Sequence, residues 1–269
     1  MKKILIACVT LILLMGVVGC GKNTSTSGEA SKNDKEIKVI TTAGGYPFNA
    51  TNPKTNKIEG FIIDIVNEVA KRSGVKTQIS TGEWNSLIPS LQSGKADVIA
   101  DAMYITDKRK KQINFTDPVF GFGEGLIVPE RDKTTKSLKD LKGKVIGVQM
   151  GTSFKDMLEK ENKDLNIKVK TYQTLSDLLK DIQTNRIDAA LADAPTFSYF
   201  KAKNPNMKYR IVEGYVPSLT GEVGIGVSKD RSELVKKFNK AIQEMKADGT
   251  LKDIYKKDLS LFSLIQKLY

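Results

Sequence analysis

Histidine is absent from the 269 residues, and that absence limits the chemistry open to the other polar groups. Ser-His-Asp and Cys-His nucleophilic catalysis, His-ligated zinc or haem and a histidine pH switch are all excluded. What remains suits the holding of a small charged molecule. Arg109, in Thr106-Asp107-Lys108-Arg109, falls in the first turn of a helix for which Thr106 is a suitable N-cap. A guanidinium grips a carboxylate through two parallel charge-assisted hydrogen bonds, a geometry lysine cannot reproduce; the same side chain also suits a surface ion pair. Gly151-Thr152-Ser153 lies at a strand-to-helix junction and offers backbone N–H groups and the positive end of a helix to an anion. Asp101 and Asp193 each close a short run of small residues, where a carboxylate either meets a cation or caps the following helix.

These residues need a frame, and the chain from Ile37 onward alternates β-rich runs with helical periodicity, the pattern of an α/β protein. Strands are expected at 37–42, 98–100, 125–128 and 145–149, the last ending in Gln149. Residues 60–73 place Phe61, Ile62, Ile65, Val66 and Val69 on one face and Asp64, Asn67, Glu68, Lys71 and Arg72 on the other, with Gly74 as a stop, which predicts an amphipathic helix. Further helices are expected at 153–162, 175–185 and 232–247. A weak internal repeat relates Leu87–Asp97 to Leu178–Asp188, each a helix end, an αL-compatible Gly94 or Asn185, a basic residue and an Asp. Lys38-Val39-Ile40 and Lys144-Val145-Ile146 open the corresponding strands. The repeat implies two similar α/β lobes, with Gly44, Asp101, Gly151 and Asp193 facing a shared cleft at the carboxyl ends of their strands.

The first 19 residues read as a secretory signal: Lys2 and Lys3, then an apolar run from Ile4 to Val18, shorter than the roughly 20 residues of a membrane span. Val17-Val18-Gly19-Cys20 resembles a bacterial lipobox, which makes Cys20 the lipid-bearing N-terminus and anchors the chain to the outer face of the cell membrane. Loss of Lys2 and Lys3 lowers the net charge from +12 to +10. The basic residues are spread along the chain without interleaved aromatics, so nucleic-acid binding is not expected. Residues 20–35 are polar and small, a tether reaching about 20 Å.

A family resemblance rests on Tyr46-Pro47-Phe48, Gly60-Phe61-Ile62-Ile63-Asp64, Leu87-Ile88-Pro89-Ser90-Leu91, Ile105-Thr106-Asp107-Lys108-Arg109, Phe115-Thr116-Asp117-Pro118, Leu141-Lys142-Gly143-Lys144, Gly151-Thr152-Ser153 and Ala247-Asp248-Gly249-Thr250. In this order they resemble the extracytoplasmic solute-binding proteins of polar-amino-acid ABC importers. The resemblance implies two Rossmann-like lobes joined by two crossover strands, the type II periplasmic-binding-protein fold, with lobe 1 at 36–119 plus 222–269, lobe 2 at 126–216 and a hinge at 120–125 and 217–221. It implies a monomer that needs no cofactor or metal and docks on a membrane permease. Arg109 is the expected holder of a ligand α-carboxylate, helped by Gly151, Thr152 and Ser153, and Asp193 of the α-ammonium. Gln149, Ala102 and Tyr104 complete the expected lining.

Departures from the family pattern bear on the ligand. Gly45 stands where an aromatic usually stacks on the substrate, so Tyr46, Phe48 or another ring must form that wall. Trp84 is a candidate clamp, with core packing as its alternative. Asp101-Ala102-Met103-Tyr104 replaces a Ser- and Gly-rich stretch, adding a carboxylate and a ring. Thr42 occupies a position where members selective for cationic side chains often carry an acid, which favours a neutral polar amino acid or an ectoine- or betaine-like zwitterion. A ligand-sensing lipoprotein and a dehydratase on the same fold are the alternative functions.

Overall fold

A computed structural model describes residues 35–257, which belong to the compact unit Asn33–Tyr269. The signal, Cys20, the tether up to residue 34 and the tail at 259–269 lie outside the described residues. No helix among the described residues is long and apolar enough to cross a membrane.

β1 (Glu36–Thr41) leads into a small antiparallel sheet of β2 (Gly44–Gly45), β3 (Asn49–Thr51) and β4 (Ile58–Glu59), and then into α1 (Phe61–Arg72). α1 buries the predicted apolar face, and Gly74 ends it at φ 72°, a left-handed turn that glycine makes without strain. β5 (Lys76–Thr81), α2 (Leu87–Gln92), β6 (Val98–Ile99), α3 (Asp107–Lys110) and β7 (Asn114–Phe115) follow. β8 (Phe120–Pro129) then enters a second sheet. That sheet is completed through β9 (Val145–Gln149), α4 (Ser153–Glu161), β10 (Lys168–Tyr172), α5 (Leu175–Gln183), β11 (Ala189–Asp193), α6 (Ala194–Lys203) and β12 (Tyr209–Ile211). β13 (Thr220–Val223) returns antiparallel to β8, and β14 (Gly226–Val227) rejoins the first sheet. α7 (Ser232–Ala247) and α8 (Thr250–Lys256) pack on α1.

The two sheets run β5-β1-β6-β14-β7 and β10-β9-β11-β8-β12. Each sets three parallel strands beside an antiparallel one, so the fold is two like α/β lobes linked by two crossing strands. β8 is longer than the expected 125–128 because its first half pairs with β13, a partner nearly a hundred residues away. Glu124, buried within β8, accepts hydrogen bonds from Tyr215 Oη (2.8 Å) and the backbone N–H groups of Ser218 (2.6 Å) and Leu219 (3.0 Å).

The repeat has a physical basis. Gly94 and Asn185 both take positive φ, 71° and 58°, turning the chain so that an Asp reaches the start of the neighbouring strand. Asp97 Oδ2 accepts from Lys38 N–H at 2.9 Å and Asp188 Oδ2 from Val145 N–H at 2.8 Å. Lys38 therefore matches Val145, one residue beyond the Lys144 that the sequence pairing assigns it. The same register pairs Val98 with Val39 and Ala189 with Ile146, so Asp101 corresponds to Ala192 and not to Asp193. α6 lacks the apolar periodicity that announces the other helices; Pro195 stands in its first turn, where a missing N–H costs no helical bond.

Asp97 also pairs with Arg231 Nη1 at 3.2 Å, a side chain only 5% exposed. Asp97→Ala removes both the bond to Lys38 and one of the carboxylates beside Arg231, whose Nε keeps Glu233 at 2.8 Å, and is therefore expected to cost about 2 kcal/mol. Asp188→Ala removes a backbone bond alone and should cost about 1 kcal/mol. Urea unfolding of the two variants checks the difference, and equal losses would deny Arg231 that role.

Candidate functional site

A cavity of about 580 Å³ opens between the lobes. Its walls are the turns after β1, β5 and β6 on one side and those after β9, β10 and β11 on the other, the carboxyl ends of the parallel strands, where open α/β sheets present ligand crevices.

Arg109 reaches this cavity from α3, whose cap is Thr106: its Oγ1 accepts the Arg109 N–H at 3.3 Å. The side chain is 7% exposed. Its Nη1 donates to Tyr104 O at 2.9 Å in the first lobe and its Nη2 to Gly151 O at 3.2 Å in the second. Its Cζ lies 5.4 Å from the centre of the Trp84 ring, a cation–π distance. Burial lowers the guanidinium to about 10, which leaves it charged at neutral pH. Two main-chain carbonyls occupy two of its five N–H groups, so donors remain for a carboxylate in the cavity.

The opposing acids behave differently. Asp101 is buried, and its Oδ2 accepts from Thr42 N–H (2.8 Å), Thr42 Oγ1 (2.9 Å), Thr41 Oγ1 (3.3 Å) and Asn49 Nδ2 (3.1 Å), while Oδ1 takes the Ala102 N–H (2.8 Å). Burial pushes its carboxyl up against the pull of these donors. A carboxylate thus sits on Thr42, supplied by the neighbouring strand and not by residue 42 itself. Asn49 was not expected here. Its amide also donates to Thr42 O and Oγ1, both at 2.8 Å, and its Oδ1 lies 2.8 Å from where a Gly45 Cβ would be. Glycine at 45 makes room for that amide.

Asp193 is the N-cap residue of α6 by position, yet its side chain makes no capping hydrogen bond. It lines the cavity instead. Burial, reinforced by the Asp101 carboxylate and opposed by Arg109, pushes it up to about 8. Thr196, one turn along α6, also lines the cavity; it is 1% exposed and its hydroxyl has no hydrogen-bond partner among the described residues. No sequence signal marks Thr196, because it stands on the helix that hydrophobic periodicity leaves unseen.

Of the other expected residues, Trp84, Ala102, Gln149, Thr152 and Ser153 line the cavity. Thr152 spends its hydroxyl on Gln149 O at 2.8 Å. Phe48 and Tyr104 line it while being core residues: Phe48 packs on Phe61, Phe120 and Phe122, and Tyr104 donates its hydroxyl to Phe122 O at 2.8 Å. Two expected residues fall outside the lining. Gly151, at φ 76°, presents its carbonyl to Arg109. Tyr46 stacks on Tyr199, ring centres 5.1 Å apart and planes 4° from parallel, with its hydroxyl donating to Thr51 O. Tyr46 therefore bridges the lobes beside the cavity and leaves it without that ring. Asn85 Nδ2 to Gln173 Oε1 (2.9 Å) and Lys108 to Asp156 (2.9 Å) also span the cleft.

Comparison with known proteins places this geometry. Residues 37–259 match the bacterial extracellular solute-binding proteins, family 3. The arginine-binding extracellular protein ArtP of Bacillus subtilis (strain 168) is 33% identical over 258 residues, 96% of this chain and 98% of the relative. A solved ancestral arginine-binding protein bound to arginine superposes with a TM-score of 0.77 at 39% identity, over 83% of this chain and 97% of that one. An ancestral amino acid-binding protein described as a precursor of cyclohexadienyl dehydratase superposes with a TM-score of 0.73 at 28% identity, over 83% and 95%. The cleft between two like lobes and the match over nearly all the described residues agree: the chain belongs to the bacterial extracellular solute-binding proteins, family 3.

Proposed function

We propose that the protein is the extracytoplasmic receptor of an ABC importer and that it captures an amino acid with a basic side chain. The observation that carries the ligand class is the charge of the cavity wall: Arg109 faces three carboxyl groups, Glu83, Asp101 and Asp193. An α-carboxylate on Arg109 and an α-ammonium on Asp193 leave the buried Asp101 without a counter-charge, and a side-chain cation supplies it, with the exposed Glu83 at the same wall. Thr42 no longer argues against such a ligand, because Asp101 lies on its amide and hydroxyl. The names of an arginine-binding relative and an arginine-bound neighbour support the same class, and the neighbour tied by name to a dehydratase is itself named an amino acid-binding protein, which favours binding over turnover.

In this reading lobe 1 is 36–119 plus 222–269, lobe 2 is 126–216, and 120–125 with 217–221 act as the hinge about which the lobes close on the ligand. The contacts that span the cleft then hold the closed form, which a membrane permease receives from a monomer anchored through Cys20.

The test is thermal unfolding against amino acids, ectoine and glycine betaine, since a ligand of the folded state alone raises the midpoint. L-Arginine or L-lysine should raise it most. A shift confined to ectoine or betaine would overturn the ligand class. Arg109→Ala should leave the fold intact and weaken binding by about 2 to 5 kcal/mol, the range for stripping one partner from a buried charge pair; calorimetry that finds unchanged affinity removes Arg109 from the site.

The Asp193 carboxyl gives a sign for pH dependence. With its value raised to about 8, it carries a proton at pH 7, and a ligand ammonium favours the ionised form. Binding should therefore release a proton near neutral pH, and affinity should fall as pH drops below about 8. Calorimetry in buffers of different ionisation enthalpy measures the release, which Asp193→Asn should abolish.

A further inference from the structure

Two buried side-chain polar atoms among the described residues lack a hydrogen-bond partner, Asn49 Oδ1 and Thr196 Oγ1. Asn49 is held by three bonds through its Nδ2, whereas the Thr196 side chain has none. A threonine in a helix ordinarily turns its hydroxyl to the carbonyl three or four residues back. Here that bond is not made, although the site is 1% exposed. A buried hydroxyl without a partner costs folding free energy, and Thr196 is itself one of the residues of the cavity wall.

Its neighbour on the helix supplies the second half of the argument. Asp193 and Thr196 are three residues apart, at the N-cap and first turn of the ten-residue α6, a spacing that puts two side chains on one face about 5–6 Å apart at Cβ. Asp193 makes no capping bond to the helix. One helical turn therefore presents two acceptors with no claim on them from the protein. We infer that Thr196 Oγ1 is the second acceptor of the ammonium subsite. It takes one N–H of the ligand's α-ammonium while Asp193 takes another, and so it selects an ammonium with at least two N–H groups over an N,N-dimethylated one, which has a single N–H. This rests on the reading of the cleft as an amino-acid site and adds to it a residue that sets specificity. The hydroxyl lies on the second lobe, so its bond forms only when the ligand is shared between both lobes, and it contributes to closure.

The test compares L-arginine with Nα,Nα-dimethyl-L-arginine by calorimetry on the unaltered protein, Thr196→Val and Thr196→Ser. Valine keeps the shape and removes the orphaned hydroxyl, so the melting temperature of the ligand-free variant should be equal or higher. Its affinity for L-arginine should fall about tenfold, the effect of losing a hydrogen bond to a charged group, and its discrimination against the Nα,Nα-dimethyl compound should shrink. Serine should retain both affinity and discrimination. Unchanged L-arginine affinity in Thr196→Val overturns the inference. So does a lowered melting temperature with equal losses for the two ligands, which marks a packing role. Failure of the unaltered protein to bind L-arginine or L-lysine overturns the ligand class itself, a result distinct from either of these.

Discussion

The buried guanidinium of Arg109 is shared by the two α/β lobes in the wall of the cavity. It donates to a carbonyl of each lobe, Tyr104 O and Gly151 O, and lies against the face of Trp84. A charge so placed is stable only while its donors are met, because removal from water without compensation is far costlier than any single contact returns. Burial lowers its proton affinity without neutralising it, so the cleft always holds one fixed positive charge. The acids opposite respond to the same loss of water in the other direction, Asp101 under five donors and Asp193 with none. The cavity wall thus sets a buried positive charge against buried carboxyl groups.

The frame that holds these groups is economical. Each lobe uses the same device: a helix stopped by a left-handed residue, an Asp that returns to a backbone N–H of the adjoining strand, and a third strand laid parallel beside it. Short strands of this kind have few ladder bonds, and the Asp fixes where each ladder begins. Between the lobes, β8 and β13 run antiparallel, with Glu124 tying the chain from Tyr215 to Leu219 back to the crossing. Gly221 lies against the Tyr104 ring, where a Cβ would come within 2.4 Å of its carbons, so the crossing strand and the cavity wall pack as one surface.

Stacking of Tyr46 on Tyr199 shows how a residue of the expected chemistry serves a different purpose. An aromatic beside Gly45 was expected to meet the ligand. It meets an aromatic of the other lobe instead, with ring planes 4° from parallel. Apolar area removed from water there holds the two lobes together at the cleft edge. The polar wall of the cavity is set by Thr42, Asp101 and Gly45 on one side and Asp193 with Thr196 on the other.

The sequence by itself determined the alternation of strands and helices, the two-lobe repeat and the exclusion of histidine chemistry, because each follows from local rules: side-chain periodicity, the left-handed stops at Gly94 and Asn185, and the presence or absence of a residue type. It also singled out Arg109 and Asp193, since a capped first turn and a strand end are local features too. Only the tertiary structure decided that Asp101 serves Thr42, that Asn49 fills the space at Gly45, that Tyr46 leaves the cavity and that Thr196 enters it. Each of these depends on a partner from another strand or the other lobe: Asp101 meets Thr42 across 59 positions. A one-residue register shift, such as that between Lys144 and Val145, changes which carboxylates correspond. Hydrogen-bond partners at such separations are fixed by packing, which no local pattern encodes.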